Sequence, residues 1–222
     1  MGIAGPSGTG KTYSAILLAK GLAKNPENIV IIDTERSADK YAGRTELGSF
    51  KVIRLYESKD PDRYSPASFA GAMRCAAEGG MEVVIIDSAS HEWHWCLNYL
   101  QKIGGRYQDF SKVTPLHEGF LRAIIQCSMH VILCFRSKTD YVILNEPGKK
   151  PTVEKVGLKK ETREGTEYEL DLILNLNTQH IATVEKSRLE PCEVNDTFMI
   201  SKEIGRALRE WTEEGAAVVE SK

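Results

Sequence analysis

The chain lacks most of the features that would place it in a membrane or an oxidising compartment. No apolar run approaches the ~18 residues needed to cross a bilayer. No signal peptide is expected, because a glycine-rich motif already begins at Gly5. The five cysteines, Cys75, Cys96, Cys127, Cys134 and Cys192, are odd in number, scattered and free of any C-x-x-C spacing. That argues against a disulfide framework and for a reducing, cytoplasmic setting without a membrane partner. No internal repeat or low-complexity linker divides the 222 residues, so one domain is expected over 1–222, ending in a flexible polar tail at 216–222. A net charge of −2 gives no global attraction to nucleic acid, so any such surface must be local. No arginine cluster follows Asp87, which counts against the arginine-rich lid of a small-molecule kinase.

What the chain does carry is Gly5-Pro6-Ser7-Gly8-Thr9-Gly10-Lys11-Thr12, a complete match to G-x-x-x-x-G-K-[ST]. Glycines there let successive N–H groups curl round a phosphate where a Cβ would obstruct them. Lys11 can reach the terminal phosphates, and the Thr12 hydroxyl can hold Mg²⁺. Ile3 and Ala4 read as the end of a short strand. Tyr13 to Lys24 reads as a helix with apolar residues at positions 15, 16, 18, 19 and 22. Its N-terminus would direct partial positive charge at a nucleotide. A nucleoside triphosphate with Mg²⁺ is the expected ligand.

Two continuous apolar runs, Ile29 to Ile32 and Val83 to Ile86, fit strands covered on both faces, as in parallel sheets. The first ends in Asp33-Thr34-Glu35 and the second in Asp87-Ser88, at the strand ends where open α/β sheets keep their ligands. Asp87 is the candidate second metal ligand beside Thr12. Position 88 is serine rather than glutamate, so Glu35 is the candidate general base. Phe50 to Leu55 and Val131 to Phe135 read as further strands, and Ser65-Pro66 and Thr114-Pro115 as helix starts. Late paired strands are expected at Leu170 to Leu176 and Ile181 to Val184, and a last helix from about Ser201 to Trp211.

Residues 139–168 read as a basic hairpin. Glu146-Pro147-Gly148-Lys149 signals its turn, and Lys149 to Arg163 holds six basic residues against two acidic ones. The expected fold is α/β, a mostly parallel central sheet flanked by helices, with late antiparallel strands. His91, His94 and Cys96 are three metal-ligand types close in sequence. No second ligand pair accompanies them, and Trp93 and Trp95 favour packing.

A phosphate loop, then I-I-D-T-E, then V-V-I-I-D-S resembles the RecA-type P-loop NTPase core. More narrowly, the chain resembles short phage-encoded, RecA-like single-strand annealing ATPases of the Sak group. The narrower match rests on Gly5 to Ser14, Asp33 to Glu35 with Tyr41-Ala42, Ile86 to Ser88 with His91 to Trp93, and Pro115, His117 and Phe120. It continues through His130 to Ile132, Arg136 to Lys138, Lys155 to Leu158, Arg163 to Gly165, Glu167 to Asp171 and Lys186 to Arg188. The resemblance implies ATP with Mg²⁺ held by Thr12 and Asp87, nucleotide contacts from Gly5 through Tyr13, and Lys11 and Glu35 in catalysis. It places Asp39 and Tyr41 near adenine, and Lys186 and Arg188 across a subunit interface at a neighbour's γ-phosphate. RecA's glutamine, which links nucleotide state to DNA binding, has no counterpart near Cys134 and Arg136, where Arg136 could sense the γ-phosphate instead. Single-stranded DNA would lie on Gly104-Gly105-Arg106-Tyr107 and on the stretch from Thr139 to about Lys160, with Tyr107 or Tyr141 stacking a base. A ring or filament of identical subunits, and a phage single-strand-binding protein, are the implied partners. A P-loop kinase and a non-hydrolysing, ATP-clamped annealing module are the alternatives.

Overall fold

The computed structural model describes residues 1–144 and 152–215, with side chains described outside 139–158 and 215. The phosphate-loop motif leaves a four-residue strand, β1 (Gly2–Gly5), and enters α1 (Lys11–Leu22). β2 (Ile29–Asp33), β3 (Lys51–Arg54), α2 (Pro66–Glu78), β4 (Val83–Asp87), α3 (Ser90–Lys102), α4 (Phe110–Ile125) and β5 (His130–Leu144) follow. β6 (Thr152–Lys160), β7 (Leu172–Leu176), β8 (Ile181–Ser187), β9 (Thr197–Met199) and α5 (Lys202–Gly215) complete the described chain. The sheet order is β3-β2-β4-β5-β1-β7-β8-β9, with β6 paired only to β5. Pairing is parallel from β3 to β7 and antiparallel from β7 to β9. The mostly parallel sheet with late antiparallel strands is therefore the architecture found.

Burial explains the apolar runs. β2 and β4 are buried at every position, and their residues alternate between two cores. Ile29, Ile31, Val83 and Ile85 meet α1 and α5, while Val30, Ile32, Val84 and Ile86 meet Phe69 of α2 and Phe120 of α4. The α1–α5 contact is backbone to backbone. A Cβ at Gly21 would stand 2.0 Å from the Lys202 carbonyl oxygen, and one at Gly205 would stand 2.2 Å from that of Leu18. Ser65 caps α2 as its sequence suggests, its side chain accepting from the Ser68 N–H at 3.2 Å.

Some boundaries differ from the sequence reading. Thr114-Pro115 does not begin a helix; α4 starts at Phe110 and runs through Pro115. Proline there removes one bond to the Ser111 carbonyl, but Ser111 and Pro115 are both exposed and water can replace it. Phe110 and Val113 pack against Cys96 and Leu100, which favours the added turn. β5 is much longer than its buried portion. Beyond Phe135 it continues as one arm of an antiparallel hairpin with β6, from Ser137 opposite Lys160 to Leu144 opposite Thr152. The Glu146–Lys149 turn, the tail at 216–222 and the side chains of Tyr141, Lys149 and Lys150 lie outside the described residues.

Candidate functional site

The ends of β1, β2 and β4 bring the motif residues together. The loop turns through Gly8 and Gly10, with φ of 83° and 84°, values that favour glycine. Thr9 Oγ1 donates to the Pro6 carbonyl at 2.9 Å, and Lys11 Nζ donates to the carbonyls of Gly5 and Pro6 at 2.9 and 2.8 Å. Gly10, the residue before α1, offers no side-chain cap to the helix's first N–H groups.

Asp87 ends β4 almost fully buried. Its Oδ2 accepts from Thr12 Oγ1 at 2.5 Å and from Ser37 Oγ at 2.7 Å. Burial raises its pKa, and those two hydrogen bonds oppose the rise. Asp33, one strand away, accepts from the N–H groups of Glu35, Ser37 and Ala38 at 2.9, 3.2 and 2.9 Å, fixing the turn that carries Glu35. Glu35 Oε1 accepts from Arg136 Nε at 2.8 Å, which ties the β2 end to the root of the β5–β6 hairpin.

A cleft of about 730 Å³ joins these groups, with Lys11, Thr12, Glu35 and Asp87 in its lining. Ser7, Gly8, Gly10, Tyr13 and Tyr41 line it too. Tyr41 is half-buried, its ring centroid 6.0 Å from that of Tyr13, with the Arg44 guanidinium carbon 5.2 Å from its own. Burial raises the Tyr41 pKa. Asp39 is not in the lining. It accepts from Arg54 Nη2 at 3.0 Å and Tyr56 hydroxyl at 3.1 Å, and the Arg54 hydrogen bond leads the causes that lower its pKa. Gly5, Pro6 and Thr9 are not in the lining.

Lys186 and Arg188 sit at the opposite end of the sheet's strands. β8 runs antiparallel to β7, so Ala182 faces Leu176 near the loop while Ser187 faces Leu172. Four residues of strand separate those pairs by roughly 13 Å. Lys186 Nζ donates to the carbonyls of Glu167 and Tyr168 at 2.7 and 3.1 Å. Arg188 donates to the Tyr168 carbonyl at 3.0 Å and pairs with Asp171 at 3.4 Å.

His91, His94 and Cys96 diverge. His91 Nδ1 lies 2.7 Å from Thr34 Oγ1, His94 Nε2 is 3.4 Å from Glu161, and the Cys96 thiol donates to Glu92 Oε1 at 3.3 Å. Glu92 also meets His117 Nδ1 at 2.9 Å, and His117 Nε2 lies 3.3 Å from Thr166 Oγ1. Burial pushes the Cys96 thiol pKa up, so it acts as a donor in a closed network joining α3, α4 and the turn before β7. On the candidate DNA face, Tyr107 is 91% exposed and Arg106 pairs with Asp109. Lys159 and Lys160 pair with Glu164 and Glu185 at 2.7 and 2.6 Å.

A family profile described as an AAA domain matches residues 1–201. The chain belongs to that family. Within the AAA domain the loop between β1 and α1, with acids at the ends of β2 and β4 of a mostly parallel sheet, is the α/β architecture of a P-loop nucleotide-binding domain. Among solved structures the chain is similar to a KaiC-like protein from the hyperthermophilic archaeon Pyrococcus horikoshii. The two are 18% identical, with 84% of this chain and 79% of that one covered, at a TM-score of 0.46. No curated protein matches. No helix among the described residues is long and apolar enough to cross a membrane.

Ser37, Arg44 and His180 are among the cleft residues that sequence reasoning missed. Ser37 and Arg44 follow Glu35 closely, but only the folded turn aims them at Asp87 and Tyr41. His180 lies in the turn between β7 and β8, with Nδ1 3.0 Å from the Thr9 carbonyl oxygen. Its one signal was the expected antiparallel pairing, which returns that turn to the loop's side of the sheet.

Proposed function

We propose that the chain is a Mg²⁺-dependent ATPase that assembles with copies of itself and acts on single-stranded DNA in phage recombination and strand annealing. The observation that carries the nucleotide reading is the convergence of Thr12 and Asp87, 2.5 Å apart, beside Lys11 and Glu35 in one cleft. A hydroxyl and a carboxylate are the hard oxygen donors that suit Mg²⁺, so Thr12 and Asp87 would hold the ion. When bound, Mg²⁺ supplies neutralisation of phosphate charge.

The protein's own groups divide the remaining work. Lys11 releases the Gly5 and Pro6 carbonyls and pairs with the terminal phosphates. The loop N–H groups and the α1 N-terminus receive phosphate oxygens. Tyr41 and Tyr13 present aromatic faces to the base. Glu35, held by Arg136, takes a proton from water as the oxygen attacks the γ-phosphorus. The bond to the β–γ bridging oxygen then breaks and leaves ADP and phosphate.

Lys186 and Arg188 stand too far from their own loop to act there, so in this reading they serve a neighbouring subunit. The resemblance to Sak-group annealing ATPases, the basic β5–β6 hairpin and exposed Tyr107 support a single-stranded DNA ligand, with phosphates on lysines and a base on the ring. Calorimetric titration of ATP with and without Mg²⁺, on wild-type and Lys11→Ala protein, tests the nucleotide site. Binding should strengthen with Mg²⁺ and collapse in the variant. Equal affinity in a folded Lys11→Ala protein contradicts the reading.

A further inference from the structure

We propose that His180 is a positioning residue of the nucleotide site, orienting the Thr9–Gly10 peptide so that the Gly10 N–H faces the phosphates; this rests on the nucleotide reading above. Three features make His180 part of a built device. The turn that carries it is locked by Asn177, whose Oδ1 accepts from the N–H groups of Gln179 and Ile181 at 2.9 and 3.0 Å. His180 itself is left-handed, with φ 63°, a conformation that non-glycine residues adopt sparingly. The result aims the ring across the sheet onto the loop, where Nδ1 lies 3.0 Å from the Thr9 carbonyl oxygen. The ring also borders Gly10, at which a Cβ would stand 3.0 Å from Nδ1.

The chemistry follows from what each atom can do. A carbonyl oxygen only accepts, so Nδ1 must carry the hydrogen. A trans peptide is planar, with its C=O and N–H pointing in opposite directions. Holding the Thr9 C=O against the imidazole therefore turns the Gly10 N–H away from His180. Glycine at position 10 would otherwise let that peptide rotate, because residues without a Cβ sample both signs of φ. His180 thus removes the freedom that the glycine-rich loop needs in order to form but must lose in order to bind.

Four proteins test this by calorimetric titration with ADP and with Mg·ATP, alongside their Tm. His180→Gly keeps the left-handed turn and deletes the donor; His180→Ala deletes the donor alone. His180→Asn places an amide nitrogen at the same δ position, in a residue that tolerates left-handed backbone. Gly and Ala variants should bind about tenfold more weakly, the scale of one lost hydrogen bond to a charged group. The Asn variant should stay within about threefold of wild type, by the same reckoning. Nitrogen NMR of the wild-type imidazole should show hydrogen on Nδ1. Wild-type affinity in a folded Gly variant, or Asn behaving like Gly, overturns the proposal while leaving the nucleotide site standing. A wild-type protein that binds neither nucleotide overturns both.

Discussion

The two ends of the sheet's strands are built from the same kinds of residue and used differently. At the end where β1, β2 and β4 finish, Thr12 and Ser37 converge on one Asp87 carboxylate oxygen, and Arg136 holds Glu35. At the other end, Lys186 and Arg188 clasp the carbonyls of Glu167 and Tyr168 and meet no phosphate loop of their own chain. One end assembles a site within the subunit; the other holds cations that the proposed function gives to a second subunit. Under that proposal a site is complete when the first end of one copy meets the second end of another.

The strongest way to break the contrast is at the first end. Lys11→Ala should reduce ATP hydrolysis by orders of magnitude with little change in Tm, because Lys11 offsets phosphate charge and fills no core. A phosphate-release assay beside a melting curve checks both halves. At the second end, Arg188→Ala should bind ATP normally yet lose about 10³-fold in turnover, the lower range for a donated arginine. Mixing it with Glu35→Ala protein should restore activity, since one interface would then pair an intact Glu35 with an intact Arg188. No rescue in demonstrably mixed assemblies contradicts a shared site.

The hairpin sharpens the contrast by separating DNA from nucleotide. Reversing Lys149, Lys150, Lys159 and Lys160 to glutamate should weaken single-stranded DNA binding by orders of magnitude at low salt and steepen nothing in ATP binding. Fluorescence anisotropy across a salt series reads this directly. Where α5 packs on α1, Gly205→Ala should cost at least ~1–3 kcal/mol in a denaturant titration, since a Cβ there would meet the Leu18 carbonyl oxygen at 2.2 Å.

The smallest effect concerns stability and pH. Burial raises the Asp87 pKa above the unfolded value of 3.8, so the folded protein holds that proton to higher pH than the unfolded chain. This contribution is fully present below pH 3.8 and is lost as pH rises through the folded pKa. At neutral pH, Asp87→Asn should therefore raise Tm slightly while abolishing hydrolysis, a stability–activity exchange. A lowered Tm would mean that the Thr12 and Ser37 hydrogen bonds outweigh the cost of burying the charge.

Much of the first end was legible because a complete phosphate-loop motif and two continuous apolar runs fix it. Fully apolar strands predict two-sided burial, and Asp33, Glu35 and Asp87 necessarily fall at their ends. Ser65 announced α2 through local capping chemistry. The rest depended on approach in space. Pro115 is tolerated inside α4 because packing of Phe110 and Val113 outweighs one lost bond on the exposed side. Asp39 turns to Arg54 and Tyr56, residues on β3 and just beyond it, which no local pattern foretells. Ser37 and His180 enter the cleft through turns whose aim is set by Asp33 and Asn177.

The most direct measurement is single-turnover phosphate release from saturating Mg·ATP by wild-type and Glu35→Gln protein, with bound ATP quantified in both. The account predicts that both bind ATP and that only the wild type releases phosphate at an appreciable rate. Equal phosphate release from the two would show that Glu35 is not the base and would contradict the site as described.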